Sequence, residues 1–323
     1  MTKARLKVQL ACALFVGALS SAALAQSYPA KPIRLVVPLA PGGGGDLVAR
    51  LIAQKITEPL GQPVIVDNRP GGSTIIGTEL VARSQPDGYT LVMATSSHGI
   101  NPSLYKPPFD PVKDFSGVCF FATSPMMLML HPSVPAKTVS ELIAVAKANP
   151  GKLNFGSSGT ASIVHLAGEL FNLSAGVKTM HIPYKGTGPA LIDLLGGQID
   201  MIFASPVPTI PHVKAGRLRA IAMASPQRSR AMPELPTVAE SGLPGFEAAT
   251  YYIVLGPANM PPAVVNRLNA EMVKASQAAD VRERLSAEAA TVIGGTPQQA
   301  IAHIESETAR WSKVVKAIGI KAD

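Results

Sequence analysis

Two hydrophobic rhythms alternate along this chain. Short apolar runs bounded by turn residues predict strands at Ile33–Val37, Val64–Val66, Thr90–Ala94, Leu153–Phe155, Thr179–Ile182, Asp200–Phe203 and Leu218–Ala222. Between them the spacing becomes helical. Leu47, Val48, Leu51, Ile52 and Ile56 share one face of a helix predicted over Asp46–Leu60, and further helices are predicted over Thr74–Ser84 and Ala161–Leu173. Thr138-Val139-Ser140-Glu141 is a capping-box pattern opening a helix that Asn149-Pro150-Gly151 stops. Pro189 suits the first turn of a helix ending at Gly196-Gly197. Pro261-Pro262 starts a long helix, and Thr296-Pro297-Gln298-Gln299 caps the last one. Strand–helix alternation predicts an α/β protein with parallel, doubly wound sheets, in which ligands sit beyond the C-terminal ends of the strands.

The first 25 residues follow a different rule. Lys3, Arg5 and Lys7 precede a nearly uncharged stretch, Leu10 to Leu24, that ends in Ala23-Leu24-Ala25. A basic start, a short apolar run and a small-x-small end predict a secretory signal cleaved before Gln26, and hence a periplasmic protein. Nothing later in the sequence is long and apolar enough to predict a membrane span.

Length and composition narrow the rest. The 323 residues are 47% hydrophobic and 15% charged, a globular composition, and the length predicts about two domains. Removing the three basic residues of the signal leaves 26 bases against 21 acids, a net charge of +5. Of the two cysteines, Cys12 falls in the signal, and Cys119 lies in the apolar run Val118–Phe121, which predicts a buried, inert thiol. Scattered histidines without ligand spacing predict no metal and no cofactor. The absence of H-E-x-x-H and G-x-S-x-G patterns predicts no enzyme. No basic cluster is interleaved with aromatics, so no nucleic-acid partner is expected.

Two segments share one design. Ile33–Val37 leads through Pro38-Leu39-Ala40-Pro41 and Gly42-Gly43-Gly44-Gly45 into a helix. Leu153–Phe155 leads through Gly156-Ser157-Ser158-Gly159-Thr160 into another. Glycine lets such a loop curl its N–H groups inward, and the first turn of a helix carries N–H groups without partners. Together they form an anion site that needs no lysine or arginine. A third cluster, Arg69-Pro70-Gly71-Gly72-Ser73, precedes the Thr74–Ser84 helix and offers further donors. Neither main loop is a Walker A or a G-x-G-x-x-G loop. If each half of the molecule supplies one loop, a carboxylate between them ties binding to closure.

The ordered set of motifs resembles the substrate-binding proteins of tripartite tricarboxylate transporters, the Bug or TctC-like family. It comprises Pro41-Gly42-Gly43 with Asp46 and Ala49-Arg50, Asp67-Asn68-Arg69-Pro70-Gly71-Gly72, and Pro86-Asp87-Gly88-Tyr89-Thr90-Leu91. Pro150 to Gly159, His165-Leu166, His181-Ile182-Pro183-Tyr184-Lys185-Gly186, Leu194 to Asp200 and Leu235 to Gly242 complete it. The resemblance covers essentially the whole mature chain. It implies a type II periplasmic-binding-protein fold: two α/β domains, each a doubly wound sheet flanked by helices, joined by crossing strands around a ligand cleft. Residues 26–126 and 246–323 would form one domain and 127–245 the other. The resemblance further implies a monomer that grips a small, often carboxylated, ligand largely with backbone amides. It would deliver that ligand to membrane permease subunits or, in some relatives, signal to a sensor kinase.

Ligand contacts are therefore expected from Leu39, Ala40, Gly42 and Gly43, from Gly72 and Ser73, and from Thr95, Ser96 and His98 after a strand end. In the other half they are expected from Ser157, Ser158, Gly159 and Thr160, from Tyr184 and Lys185, and from Ala204 and Ser205. Asp46 is expected to cap its helix and pair with Arg50 rather than touch ligand. His165 is expected to pack, and Met126, Met127 and Met129 to fill core or hinge. Similar proteins often carry an acid where this chain has Ala204-Ser205, and a Trp-Tyr-Gly stretch where it has Tyr251-Tyr252-Ile253. The missing acid favours an anionic or neutral ligand over one bearing an ammonium group.

Overall fold

A computed structural model describes residues 28–287 and 289–319. The signal and its cleavage point lie outside them. The predicted strands form as β1 (Ile33–Val37), β2 (Val64–Asn68), β3 (Thr90–Ala94), β5 (Asn154–Ser157), β6 (Met180–Pro183), β7 (Met201–Ala204) and β8 (Arg219–Ala224). Three more complete the sheets: β4 (Phe115–Leu130), β9 (Ala249–Pro257) and β10 (Thr291–Gly295). The helices are α1 (Gly44–Leu60), α2 (Ile75–Ala82), α3 (Ser96–Ile100), α4 (Val139–Ala148), α5 (Ile163–Ala175), α6 (Thr187–Leu195), α7 (Pro206–Lys214), α8 (Pro262–Gln277), α9 (Ala279–Ala287) and α10 (Pro297–Ile318).

Sequence periodicity misses β4 and β9 for a physical reason. Both are buried along nearly their whole length, so no polar face alternates with the apolar one. They also reverse part of the expected pattern. β1, β2 and β3 pair in parallel, as do β5, β6 and β7. β9 runs antiparallel to both β3 and β4, and β4 runs antiparallel to β7, β8 and β10.

β4 belongs to two sheets in turn. Its first part, Phe115–Pro125, pairs with β9 in the order β2-β1-β3-β9-β4, with β10 on the far side. Its last part, Met126–Leu130, lies between β7 and β8, and β7 leads on to β5 and β6. Pro125 marks the change of partners, where a residue without an N–H leaves no donor stranded. The chain returns alongside: Ala248 N donates to Ala224 O at 2.9 Å and Met126 N donates to Ala248 O at 2.8 Å. Two lobes therefore meet at two neighbouring backbone crossings.

Helices cover both sheets. One apolar cluster joins β1, β9 and the first part of β4 to α1 and α8 through Leu35, Ile52, Phe121, Val254 and Leu268. Cys119 belongs to it, and burial pushes the thiol up to about 12. A second fills the other lobe around Leu128, Phe155, Leu166, Phe203 and Ile221. α10 touches both lobes. Ala300 and Ile304 pack near Phe120 and Ile253, whereas Trp311 and Val315 join the second lobe's cluster. A capping box at Thr296 and Gln299 starts this helix, as the sequence predicts. Among the described residues no helix is long and apolar enough to cross a membrane.

His98 sits in the core between Phe109 and Phe115, with Nε2 at 2.8 Å from Pro111 O. Burial outweighs that hydrogen bond and holds its pKa down at about 4. An unfolded chain binds the proton near pH 6.5, so stability present above that pH is lost as pH falls toward 4. His98 alone accounts for on the order of 3 kcal/mol of this loss. Urea midpoints measured from pH 7 to pH 4 should fall, and the fall should shrink in His98→Leu. An unchanged slope in that variant would remove His98 as the source.

Candidate functional site

Between the lobes lies a cavity of about 40 Å³, room for about three waters. The first lobe lines it with Leu39, Gly44, Gly45, Thr95, Ser97, Thr250 and Tyr252. Met126 at the crossing, and Ser158, Ile163, Val164, Thr187 and Ser205 of the second lobe, complete the wall. None of these side chains is charged.

The wall is built from helix beginnings. Gly44 and Gly45 are the first residues of α1, Ile163 and Val164 of α5, and Thr187 of α6, while Ser205 is the N-cap of α7. Four helix N-termini, one from the first lobe and three from the second, thus face one uncharged space. All four bring the positive end of a helix dipole, but only α1, α5 and α6 offer unpartnered N–H groups; in α7 Pro206 and Pro208 have no N–H and Val207 N is bonded to Ser205 Oγ at 3.3 Å. Thr95 and Ser97, at the start of α3, add hydroxyls.

Local chemistry fixes each start. α1 begins after Gly43, with no side-chain cap. Asp46 is not the cap that the sequence suggests. It is the third helical residue, and its carboxylate folds back to accept from Gly42 N at 3.0 Å. Burial favours its neutral form, but hydrogen bonds from Arg50, the Gly42 amide and Asn68 outweigh this and keep the pKa below the usual carboxylate range. Asp46 is thus an ionised, paired clasp for the glycine loop, outside the cavity wall. In the other lobe the cap of α5 is Ser162, whose Oγ accepts from His165 N at 3.2 Å. Ser157 serves its own loop instead: Oγ accepts from Gly159 N at 3.1 Å and lies 2.6 Å from His181 Nε2.

The lobes touch around the cavity. Ala40 N donates to Lys185 O at 3.0 Å, and Ser73 Oγ donates to Thr160 O. Gly42 and Gly43 lie against Gly188 and Thr187 at the start of α6. Gly186 has φ +145°, and a Cβ there would come within 3.0 Å of Ala40 N, so glycine is needed for both backbone and approach. Ser73 and Thr74 have φ of +50° and +81°, strained values for residues with a Cβ. Asn101 holds them, donating to Ser73 O at 2.7 Å and to Thr74 Oγ1 at 3.2 Å.

The structure divides the expected contact residues into three groups. Leu39, Thr95, Ser158 and Ser205 are in the cavity wall. Ala40, Gly42, Gly43, Ser73, Thr160 and Lys185 lie where the lobes meet, the last through its carbonyl while the residue itself is exposed. The others are turned elsewhere. Ser96 is buried and bonded to Ala249 O and Thr250 Oγ1, His98 is in the core, and Ser157 is fully buried. Ala204 is paired in β7, Tyr184 donates to Asp193 Oδ2 at 2.6 Å, and Gly72 is exposed. Gly159 belongs with the residues where the lobes meet, since a Cβ there would lie 3.7 Å from Ser73 Oγ.

Sequence reading did not single out Met126, Ile163, Val164, Thr187 or Thr250 for the wall. Three prolines in nine residues hide α7, although Pro206 in the first turn after Ser205 is a helix-start signal. Tyr252 OH donates to Ser205 Oγ at 2.9 Å, and Ser124 Oγ lies 3.0 Å from the same atom. That network joins both crossings to the start of α7.

Comparison with known proteins agrees with this architecture. The family model described as tripartite tricarboxylate transporter family receptor matches residues 48–320. Protein BugT of Bordetella pertussis is 36% identical over 324 residues, 99% of each chain. Rpa4515 of R. palustris, solved with adipate, is 35% identical with a TM-score of 0.88, over 91% of this chain and 99% of that one. MatC from Rhodopseudomonas palustris, with bound malate, is 32% identical with a TM-score of 0.85, over 89% and 100%. A TctC solute binding protein from Polaromonas with no ligand is 28% identical, and its TM-score is 0.63 over 90% and 100%. With its motifs, fold and cleft in place, the chain belongs to the tripartite tricarboxylate transporter receptor family of solute-binding proteins.

Proposed function

We propose that this protein captures a small, carboxylate-bearing metabolite in the periplasm and delivers it to membrane permease subunits. The lobes correspond to residues 26–126 with 246–323, and to 127–245. The carrying observation is the convergence of three helix N-termini with unpartnered N–H groups, those of α1, α5 and α6, and of Ser205 at the head of α7, on one cavity whose wall has no charged side chain. One carboxylate there accepts N–H groups from both lobes. Each helix-terminus interaction contributes roughly 0.3–2 kcal/mol, so the set together supports useful binding. Aliphatic Leu39, Met126, Ile163 and Val164 suit the carbon skeleton of a short acid. Adipate and malate, bound by the two solved relatives, are short acids of this class; both are larger than the space between the lobes as it stands, so seating either requires the lobes to part.

Closure follows from the same contacts. The Ala40–Lys185 and Ser73–Thr160 bonds exist only while the lobes are together. These direct contacts between the lobes support reading this conformation as the closed form. That form is the one a permease would recognise.

A thermal-shift and calorimetric screen tests the ligand class. Malate, succinate or adipate at about 100 times its Kd should stabilise the protein by about 2.7 kcal/mol. Aspartate should bind at least tenfold more weakly than malate, because its ammonium group meets no carboxylate in the wall. Tighter binding of aspartate, or no response to any carboxylate, would remove this reading.

Closure has its own test. A Cβ at Gly188 would lie 2.1 Å from Pro41 O, whereas alanine is compatible with the helical backbone of α6. Gly188→Ala should therefore weaken carboxylate binding at least tenfold while leaving the ligand-free melting temperature within a few degrees. Wild-type affinity in this variant would mean that the lobes need not meet there.

A further inference from the structure

Beneath the second lobe's share of the site lies a stack that the ligand-binding reading does not use. His165 and His181 are face to face, with ring centroids 3.9 Å apart and an interplanar angle of 20°. Phe155 lies against His181 at 5.0 Å. Room for the Phe155 ring depends on Gly168, where a Cβ would come within 2.2 Å of Phe155 Cε2. Three elements, β5, β6 and α5, thus contribute one ring each to a single column under the loop that joins β5 to α5.

Both imidazoles hold that loop. His165 Nδ1 accepts from Ala161 N at 3.2 Å, which assigns the ring proton to Nε2, on the side of Glu169 at 3.8 Å. Ala161 has φ +65°, a left-handed conformation that a residue with a Cβ keeps only when its surroundings enforce it. His181 Nε2 contacts Ser157 Oγ, which accepts from Gly159 N. At the other end of the same loop, His165 N donates to Ser162 Oγ. Immediately beyond stand Ile163 and Val164 in the cavity wall. The loop also carries Thr160 O, the acceptor of the inter-lobe bond from Ser73.

From this geometry we infer that His165 and His181 are positioning residues for the ligand: the stacked, neutral pair fixes the 157–162 loop so that the α5 amides point into the cavity and Thr160 meets the opposite lobe. Neither ring touches the ligand. Burial, and then the neighbouring His165, hold the pKa of His181 down at about 3, in keeping with an uncharged column. The inference rests on the carboxylate-cleft reading for its effect on affinity, but not for its effect on the loop.

The test separates the two. Nitrogen-15 spectra of the wild-type histidines at pH 7 should show His165 protonated at Nε2 alone; the opposite tautomer, or a charged ring, would overturn the assignment without any variant. Amide hydrogen exchange then reads the loop in the absence of ligand. His165→Leu should speed exchange at Ala161 at least tenfold, and His165→Asn, whose side-chain oxygen takes the place of Nδ1, should restore most of the protection. His181→Phe keeps the stack but removes the Ser157 contact, and should speed exchange at Gly159. With malate or adipate as the probe, His165→Leu should bind at least tenfold more weakly and His165→Asn within threefold of wild type. Unchanged exchange at Ala161 in His165→Leu would overturn the inference whatever the ligand result. Altered exchange with unchanged affinity would refute the link to binding, and a wild-type protein that binds no carboxylate would sink the cleft reading alone.

Discussion

Partial positive charge drawn together without a counterion is the constraint around which the molecule is organised. The ends of α1, α5 and α6 present N–H groups to one small cavity, and α7 adds the positive end of its dipole behind Ser205. In that arrangement the helix dipoles repel one another. On the proposed reading, a bound anion would reverse the sign of the interaction, and the solute itself would supply the attraction that draws the lobes together. Neutral helix ends, unlike lysine, have no long side chain to immobilise and no proton to lose. Their charge is fixed by the backbone, and its direction by the fold.

The remainder of the site keeps those ends aimed. Asp46 is buried, yet its charge is spent on Arg50, Asn68 and the Gly42 amide, so it steadies the glycine loop without leaving an unpaired negative charge beside the cavity. Asn101 performs the equivalent service for the strained Ser73–Thr74 turn. Ser205 ties Tyr252 and Ser124 to the beginning of α7. All three devices use neutral or fully paired groups, which avoids a competing charge near a site that relies on modest dipoles.

Much of this was legible in the sequence, in proportion to how local its cause is. Small-residue loops after strands announced the beginnings of α1 and α5, because backbone curvature is a property of glycine and serine themselves. Capping patterns likewise act over a few residues: the box at Thr296 and Gln299 is complete, whereas Thr138 caps its helix through Glu141 N and the Glu141 carboxylate takes Lys137 N instead of the cap amide. Features set by tertiary contact were not legible. β4 and β9 are buried on both faces and show no alternation, and prolines at 206, 208 and 211 disguise α7. His98 follows a strand end, where pockets form, but the aromatic rings of Phe109 and Phe115 claim it for the core. Ser157 reads as a donor to ligand, yet a histidine 24 residues away engages it first.

The return of the chain through β9 has a consequence for the chain as a material. Since β9, residues 249–257, lies between β3 and the first part of β4, the first lobe cannot be excised from the gene as one continuous piece, whereas residues 126–248 carry every strand of the second sheet. Cutting at residue 126 would leave one fragment with an unsatisfied gap and the other with a loose ribbon.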